Sequence, residues 1–127
     1  MVNAAYALNA YTQNRVTTND NPVDLVIMLY DGAIEFLDKA STGIEMKNLQ
    51  IKIKYITKAL AIVEELEKSL NFEAGGQVAA NLANLYCYMM KELVLANLDS
   101  DAAKIKHINS LLKELREGWR QVRNNPV

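Results

Sequence analysis

From Val23 onward, large apolar residues recur three and four positions apart, the spacing that lines one face of an α-helix. Four such segments follow one another. The first spans about residues 21–42 and carries Val23, Val26, Tyr30, Ala33, Leu37 and Ala40. Asn21 is placed to cap it, Pro22 suits the first helical position, and Gly43 is placed to end it with a positive φ. The second, from about Lys47 to Leu70, carries Ile56, Ala59, Val63, Leu66 and Leu70. The third starts after Gly75-Gly76 and reaches about Leu98, with Val78, Leu82, Leu85, Met89, Leu93 and Ala96. The fourth starts at Asp99 or Ser100 and runs to about Asn124, with Ile105, Ile108, Leu112, Leu115, Trp119 and Val122. No stretch alternates with the period of two expected of a strand.

The links between segments are short, near residues 43–46, 71–76 and 98–100, and short links make neighbouring helices antiparallel. The pattern therefore predicts an all-α fold, an antiparallel up-down-up-down four-helix bundle over residues 21–127, preceded by an N-terminal arm or short helix over residues 1–20. The arm carries Tyr6, Leu8, Tyr11 and Val16 and only two charges, Arg15 and Asp20. That composition suits a segment folding back on an apolar surface better than a solvated tail.

Two segments are more apolar than a bundle face requires. The fourth keeps its large apolar side chains within an arc of about 120°, close to what a one-faced helix needs. In the first, Leu25, Leu29 and Phe36 widen the arc to about 200°, and Met28 lies beyond it. In the third, Leu85, Tyr86, Tyr88, Met89, Met90, Val94 and Leu95 go most of the way round, and the only charges between Gly75 and Leu98 are Lys91 and Glu92. A central helix touching two neighbours accounts for part of this surplus. The rest predicts an apolar groove for a partner, since each large apolar side chain left in water forgoes roughly 1.5–3 kcal/mol of burial. Asn81, Asn84 and Asn97 offer hydrogen bonds beside it.

Composition narrows the chemistry. The 127 residues suit one domain, and half of them are hydrophobic. The formal net charge is −1 without a dense basic run, which argues against a nucleic-acid partner. No apolar stretch is long enough for membrane insertion. The single cysteine, Cys87, and the lack of a signal peptide predict a reducing cytoplasm, with Cys87 an inert, buried or half-buried thiol. His107 is the only histidine, so a multi-histidine metal site is excluded, and it reads as a solvated surface residue. Gly75-Gly76 lacks the Gly-Lys-Ser/Thr of a phosphate loop. Arg116, Arg120 and Arg123 suit the negative end of the last helix. The sequence thus predicts no enzyme, no catalytic residue, no cofactor and no metal.

Several runs together resemble the FliS family of flagellin-specific export chaperones. They are Leu25–Ile34 (LVIMLYDGAI) just after Asn-Pro, Gly75–Leu82 (GGQVAANL) and Leu85–Met89 (LYCYM). Ala96-Asn97, Leu115-Arg116 with Trp119, and Ala10-Tyr11 ahead of Asn14-Arg15-Val16 are similar as well. Asn21 stands where many members have Ser, and Asn caps equally well. The resemblance implies a cytoplasmic chaperone that binds the C-terminal segment of flagellin, prevents premature polymerisation and, when loaded, meets the flagellar type III export gate. Carried onto matching positions, it implies a flagellin-binding surface of Tyr6, Tyr11, Leu25, Leu29, Tyr30, Asn81, Leu82, Tyr86 and Met89. Two other classes compete with it. One is a phosphotransfer or regulatory bundle acting through His107. The other is a bundle that only self-associates, and a homodimer is compatible with the apolar surplus.

Overall fold

The computed structural model describes residues 22–125. The arm, with Tyr6 and Tyr11, and the Asn21 cap lie outside the described residues. Four helices follow in order: α1 (Pro22–Glu45), α2 (Leu49–Lys68), α3 (Phe72–Asp99) and α4 (Ala102–Asn124). α1 packs against α2 and α4, and α3 packs against the same two, which leaves α1 and α3 diagonal across a four-membered ring.

Side-chain pairings fix the directions. Between α1 and α4, Asp24 meets Arg123, Asp31 meets Arg116 and Asp38 meets Asn109. Between α2 and α3, Lys52 reaches Asn97 while Glu67 meets Cys87. Between α3 and α4, Tyr88 meets His107 and Glu92 meets Lys104. Phe36 stacks on Tyr55 while Gly43 approaches Ile51. In each pair numbers rise along one helix as they fall along the other, so chain neighbours run antiparallel.

The helix ends depart from the sequence expectations in ways the backbone explains. α1 runs past Thr42, and Gly43 is a buried helical residue. A Cβ there would lie 2.8 Å from both Ile51 Cγ2 and the Lys52 backbone nitrogen, so the glycine serves close approach of α1 and α2. The left-handed residue is Lys47 (φ 55°). The Asn48 N–H returns to the Gly43 carbonyl (2.8 Å) and the Lys47 N–H to that of Ile44 (3.0 Å), a Schellman ending. Asn48 and Asn71 cap α2 and α3, accepting from Ile51 N–H (3.1 Å) and Ala74 N–H (3.0 Å). The glycine pair therefore does not precede α3: Gly76 (φ 50°, ψ −123°) kinks it after its first turn. Asp101, rather than Asp99 or Ser100, caps α4 by accepting from Lys104 N–H (3.1 Å).

The core gathers Tyr30, Leu37, Ile56, Ile62, Leu66, Tyr86, Met89, Leu93, Ile105, Ile108 and Leu112, all fully buried. Two expected stripe positions are exposed, and one lysine is buried. Val78 is exposed, and Ala79 and Tyr86 take the core positions at that end of α3. Val122 is exposed because only the first turn of α1 stands opposite it, where Arg123 meets Asp24. Lys52 is buried, its ammonium donating to the Asn97 carbonyl and to Ser100 Oγ, both at 2.8 Å. A cation thus closes the negative C-terminal end of α3.

Candidate functional site

Where α1 and α3 begin and α2 and α4 end, the bundle opens into an apolar cleft of about 330 Å³. Pro22, Val23 and Val26 of α1 line it, with Leu66 and Leu70 at the end of α2, Ala74, Val78 and Leu82 of α3, and Trp119 of α4. Among the described residues no charged side chain lines it. Val78 keeps 65% of its surface exposed, although Leu70, Leu82 and Trp119 are among the large apolar residues around the same opening.

Tyr86 lines the cleft and is otherwise buried. Its hydroxyl shares a 2.6 Å hydrogen bond with that of Tyr30 across the diagonal between α3 and α1. Burial pushes the Tyr30 hydroxyl above the ordinary tyrosine range, partly offset by hydrogen bonding from Tyr86 and Trp119. Burial, and then the neighbouring Tyr30, push Tyr86 well above that range. Both phenols therefore stay neutral at ordinary pH. The cleft rests on a neutral polar pair, not on an acid–base one. Among the described residues no group of His, Cys, Asp and Glu is arranged to hold a metal ion. What the arrangement can do is bury apolar side chains of another chain.

More apolar surface continues along α3. Phe72, Tyr88, Val94 and Leu98 are exposed, and Val94 and Leu98 share one face by their four-residue spacing. On α1 the surplus is absorbed differently. Leu29 and Phe36 are half-buried and pack on the core margin, leaving Leu25 as the exposed large apolar side chain of that helix. None of the described helices is long and apolar enough to cross a membrane.

The family model described as "Flagellar protein FliS" matches residues 3–126. The chain belongs to the FliS family. Curated relatives agree. It is 36% identical over 119 residues to the flagellar secretion chaperone FliS of Campylobacter jejuni, covering 94% of this chain and 92% of that one. With the protein of the same name from Salmonella typhimurium the identity is 35% over 122 residues, covering 93% and 90%. With that of Bacillus subtilis it is 32% over 112 residues, covering 88% and 82%.

Against this FliS fold the sequence-predicted site residues separate. Leu82 and Tyr86 line the cleft. Leu25 is exposed on α1, and Asn81 is exposed on α3, where its Oδ1 accepts from Gln77 Nε2 at 2.8 Å. Leu29 belongs to the core margin. Tyr30 and Met89 are fully buried, so the structure corrects their placement on a surface: both belong to the core, and Tyr30 reaches the cleft only through its bond to Tyr86. Val78 and Trp119, read from periodicity as core, are cleft residues. Cys87 is exposed, not buried, with its thiol 3.8 Å from Glu67 Oε2. The C-terminal arginines do more than suit a helix end. Arg116 pairs with Asp31 at 2.9 Å and Arg123 with Asp24 at 3.4 Å, tying α4 to α1 beside the cleft. His107 is exposed and meets Tyr88 edge-on, ring centres 6.3 Å apart.

Proposed function

We propose that this chain is a cytoplasmic export chaperone that binds the C-terminal segment of flagellin. In this reading it prevents premature polymerisation and delivers its substrate to the flagellar type III secretion apparatus, meeting the export gate when loaded. Membership in the FliS family supports the role, since the relatives are named flagellar secretion chaperones. The observation that carries it in the structure is the apolar cleft with Val78 exposed over it, together with the separate apolar exposure of Val94 and Leu98 near the far end of α3. Leaving such residues in water costs a marginally stable protein a sizeable part of its stability, a cost offset when a partner covers them. Leu25, Leu82 and Tyr86 are the described residues proposed to touch the substrate, with Tyr6 and Tyr11 of the arm added on the resemblance alone.

Calorimetry with a flagellin C-terminal peptide tests this. The wild-type chain is expected to bind with a negative heat-capacity change, the mark of apolar burial. The Val78→Ser/Leu82→Ser variant is expected to lose about tenfold or more in affinity, equivalent to about 1.4 kcal/mol. Absence of binding by the wild-type chain sinks the proposal.

A further inference from the structure

At the end of the bundle opposite the apolar cleft, α1 and α2 present a surface of a different kind. Phe36 and Tyr55 stack there with ring centres 5.8 Å apart. Three ammonium groups converge on them: Lys39, Lys54 and Lys58 lie 5.2, 5.3 and 5.9 Å from the centre of the Tyr55 ring. Three like charges gathered around one ring repel one another over distances comparable to the Debye length of about 8 Å. The ring faces relieve only part of that repulsion. Lys39 pairs with Glu35 at 3.3 Å, whereas among the described residues neither Lys54 nor Lys58 has a carboxylate partner. The arrangement is local, for the chain as a whole carries a net charge of −1. It arises because no Asp or Glu occurs between Glu45 and Glu64, while Lys47, Lys52, Lys54 and Lys58 do.

Beside the ring pair lies a cleft of about 390 Å³ lined by Asp38, Lys39, Thr42, Gly43, Met46, Asn48, Ile51 and Tyr55. Asp38 accepts from Asn109 of α4 at 2.7 Å. Met46, Leu49 and Ile53 are exposed along the same stretch of chain. Three cations of which two lack a carboxylate partner among the described residues, aromatic faces and a cleft with Met46 and Ile51 in its lining are together complementary to carboxylates interspersed with apolar side chains. A phosphate backbone fits less well. Among the described residues α1 and α2 carry no arginine to grip phosphates bidentately, and the apolar residues of this surface give such a backbone nothing to bury.

We propose that this face is a second docking surface, for an acidic amphipathic polypeptide segment whose carboxylates meet Lys39, Lys54 and Lys58 while an apolar side chain enters the cleft beside Tyr55. It is independent of the flagellin reading. A chain with both surfaces holds an apolar segment at one end and offers the other end to an acidic partner.

The test uses the full-length chain and a fluorescent helical peptide with Glu at i, i+4 positions and Leu and Phe on the opposite face. Two control probes go with it: the same peptide with Lys for Glu, and an oligothymidylate of similar length. The acidic peptide is expected to bind and to shift the resonances of Thr42, Met46 and Tyr55. Lys54→Glu/Lys58→Glu is expected to weaken it about tenfold or more, and raised salt to weaken it as well. Tyr55→Leu, which leaves the charges in place, is expected to weaken it too. Thermal melts report whether each variant is folded, and the charge-reversed variant is expected to keep its affinity for a flagellin C-terminal peptide. The proposal is overturned if the acidic peptide does not bind, if the charge-reversed variant binds it unchanged, or if its shifts centre on Val78 and Leu82. Tighter binding of the oligothymidylate replaces it with a nucleic-acid surface.

Discussion

The hydrogen bond between Tyr30 and Tyr86 is the polar contact on which the cleft rests, and its two ends are not equivalent. Tyr30 also has Trp119 beside its hydroxyl, whereas Tyr86 has Tyr30. Tyr30→Phe therefore leaves a buried hydroxyl on Tyr86 without a partner and is expected to cost about 1–3 kcal/mol. Tyr30→Phe/Tyr86→Phe removes both ends and is expected to cost less than the single change, which denaturant melts of the two variants will decide. The pair also sets a pH dependence. Both hydroxyls titrate higher in the folded chain than the ordinary tyrosine value of about 10. Their contribution is fully present below about pH 10 and is lost as pH rises from there toward the folded-state values, because the unfolded chain gives up its protons first. Alkaline unfolding is expected to begin above about pH 10 and to move upward in the double phenylalanine variant. None of this pairing was legible in the sequence. Periodicity put Tyr30 on a core stripe and counted Tyr86 as surplus, but a contact between residues 56 positions apart depends on how the ring of helices closes.

At the scale of the elements, the four helices and their order were legible because apolar residues every three or four positions persist for five turns or more in each. The junctions were not. Glycine next to an apparent stop reads as a left-handed terminus, yet Gly43 is there because α2 passes too close for a Cβ, and a lysine takes the left-handed position. Two substitutions separate these roles. Gly43→Ala forces Ile51 or the backbone at Lys52 to move and is expected to destabilise the fold by about 1–3 kcal/mol, as overpacking does. Lys47→Gly removes the strain of a left-handed L-residue and is expected to stabilise it by about 1 kcal/mol. Chemical denaturation of both measures opposite signs from two residues of one turn. A stabilising Gly43→Ala would mean that α1 and α2 are less closely packed at this crossing. The kink at Gly76 had the same cause of illegibility: Asn71 already caps a helical turn ahead of the glycine pair, and one sequence does not say whether a glycine ends a helix or bends it.

At the scale of the whole molecule, the apolar surface that α3 presents is divided between the cleft and a ridge at Val94 and Leu98, and the division has consequences for the length of a partner. A cleft of about 330 Å³ is at the small end of what holds a drug-sized ligand, and accommodates a few side chains of a peptide. Ordering a disordered segment costs about 2–5 kcal/mol or more of the gross interaction energy, so a few side chains leave little net affinity. Further apolar exposure on α3 lies at Val94 and at Leu98, the latter 75% exposed. Val78 and Leu98 are twenty positions apart, roughly 30 Å of helix. At 3.6 residues per turn the two also lie on nearly opposite sides of α3, so a partner that covers both must span that distance and pass round the helix. This two-part surface was half legible: the sequence showed that α3 is apolar on more sides than a bundle uses, but not that Val78 and Trp119 border an opening and Tyr30 and Met89 do not. Affinity for flagellin C-terminal peptides is therefore expected to rise steeply with length until the segment reaches from the cleft to the far end of α3. Val94→Ser/Leu98→Ser is expected to weaken a long peptide about tenfold or more while leaving one that fills only the cleft unaffected. The two losses separate because the substituted residues are exposed and far from the cleft, where effects on binding add independently. Calorimetry on a truncation series measures both. A short peptide that binds as tightly as the long one would confine the site to the cleft and leave the α3 ridge without a role in holding this partner.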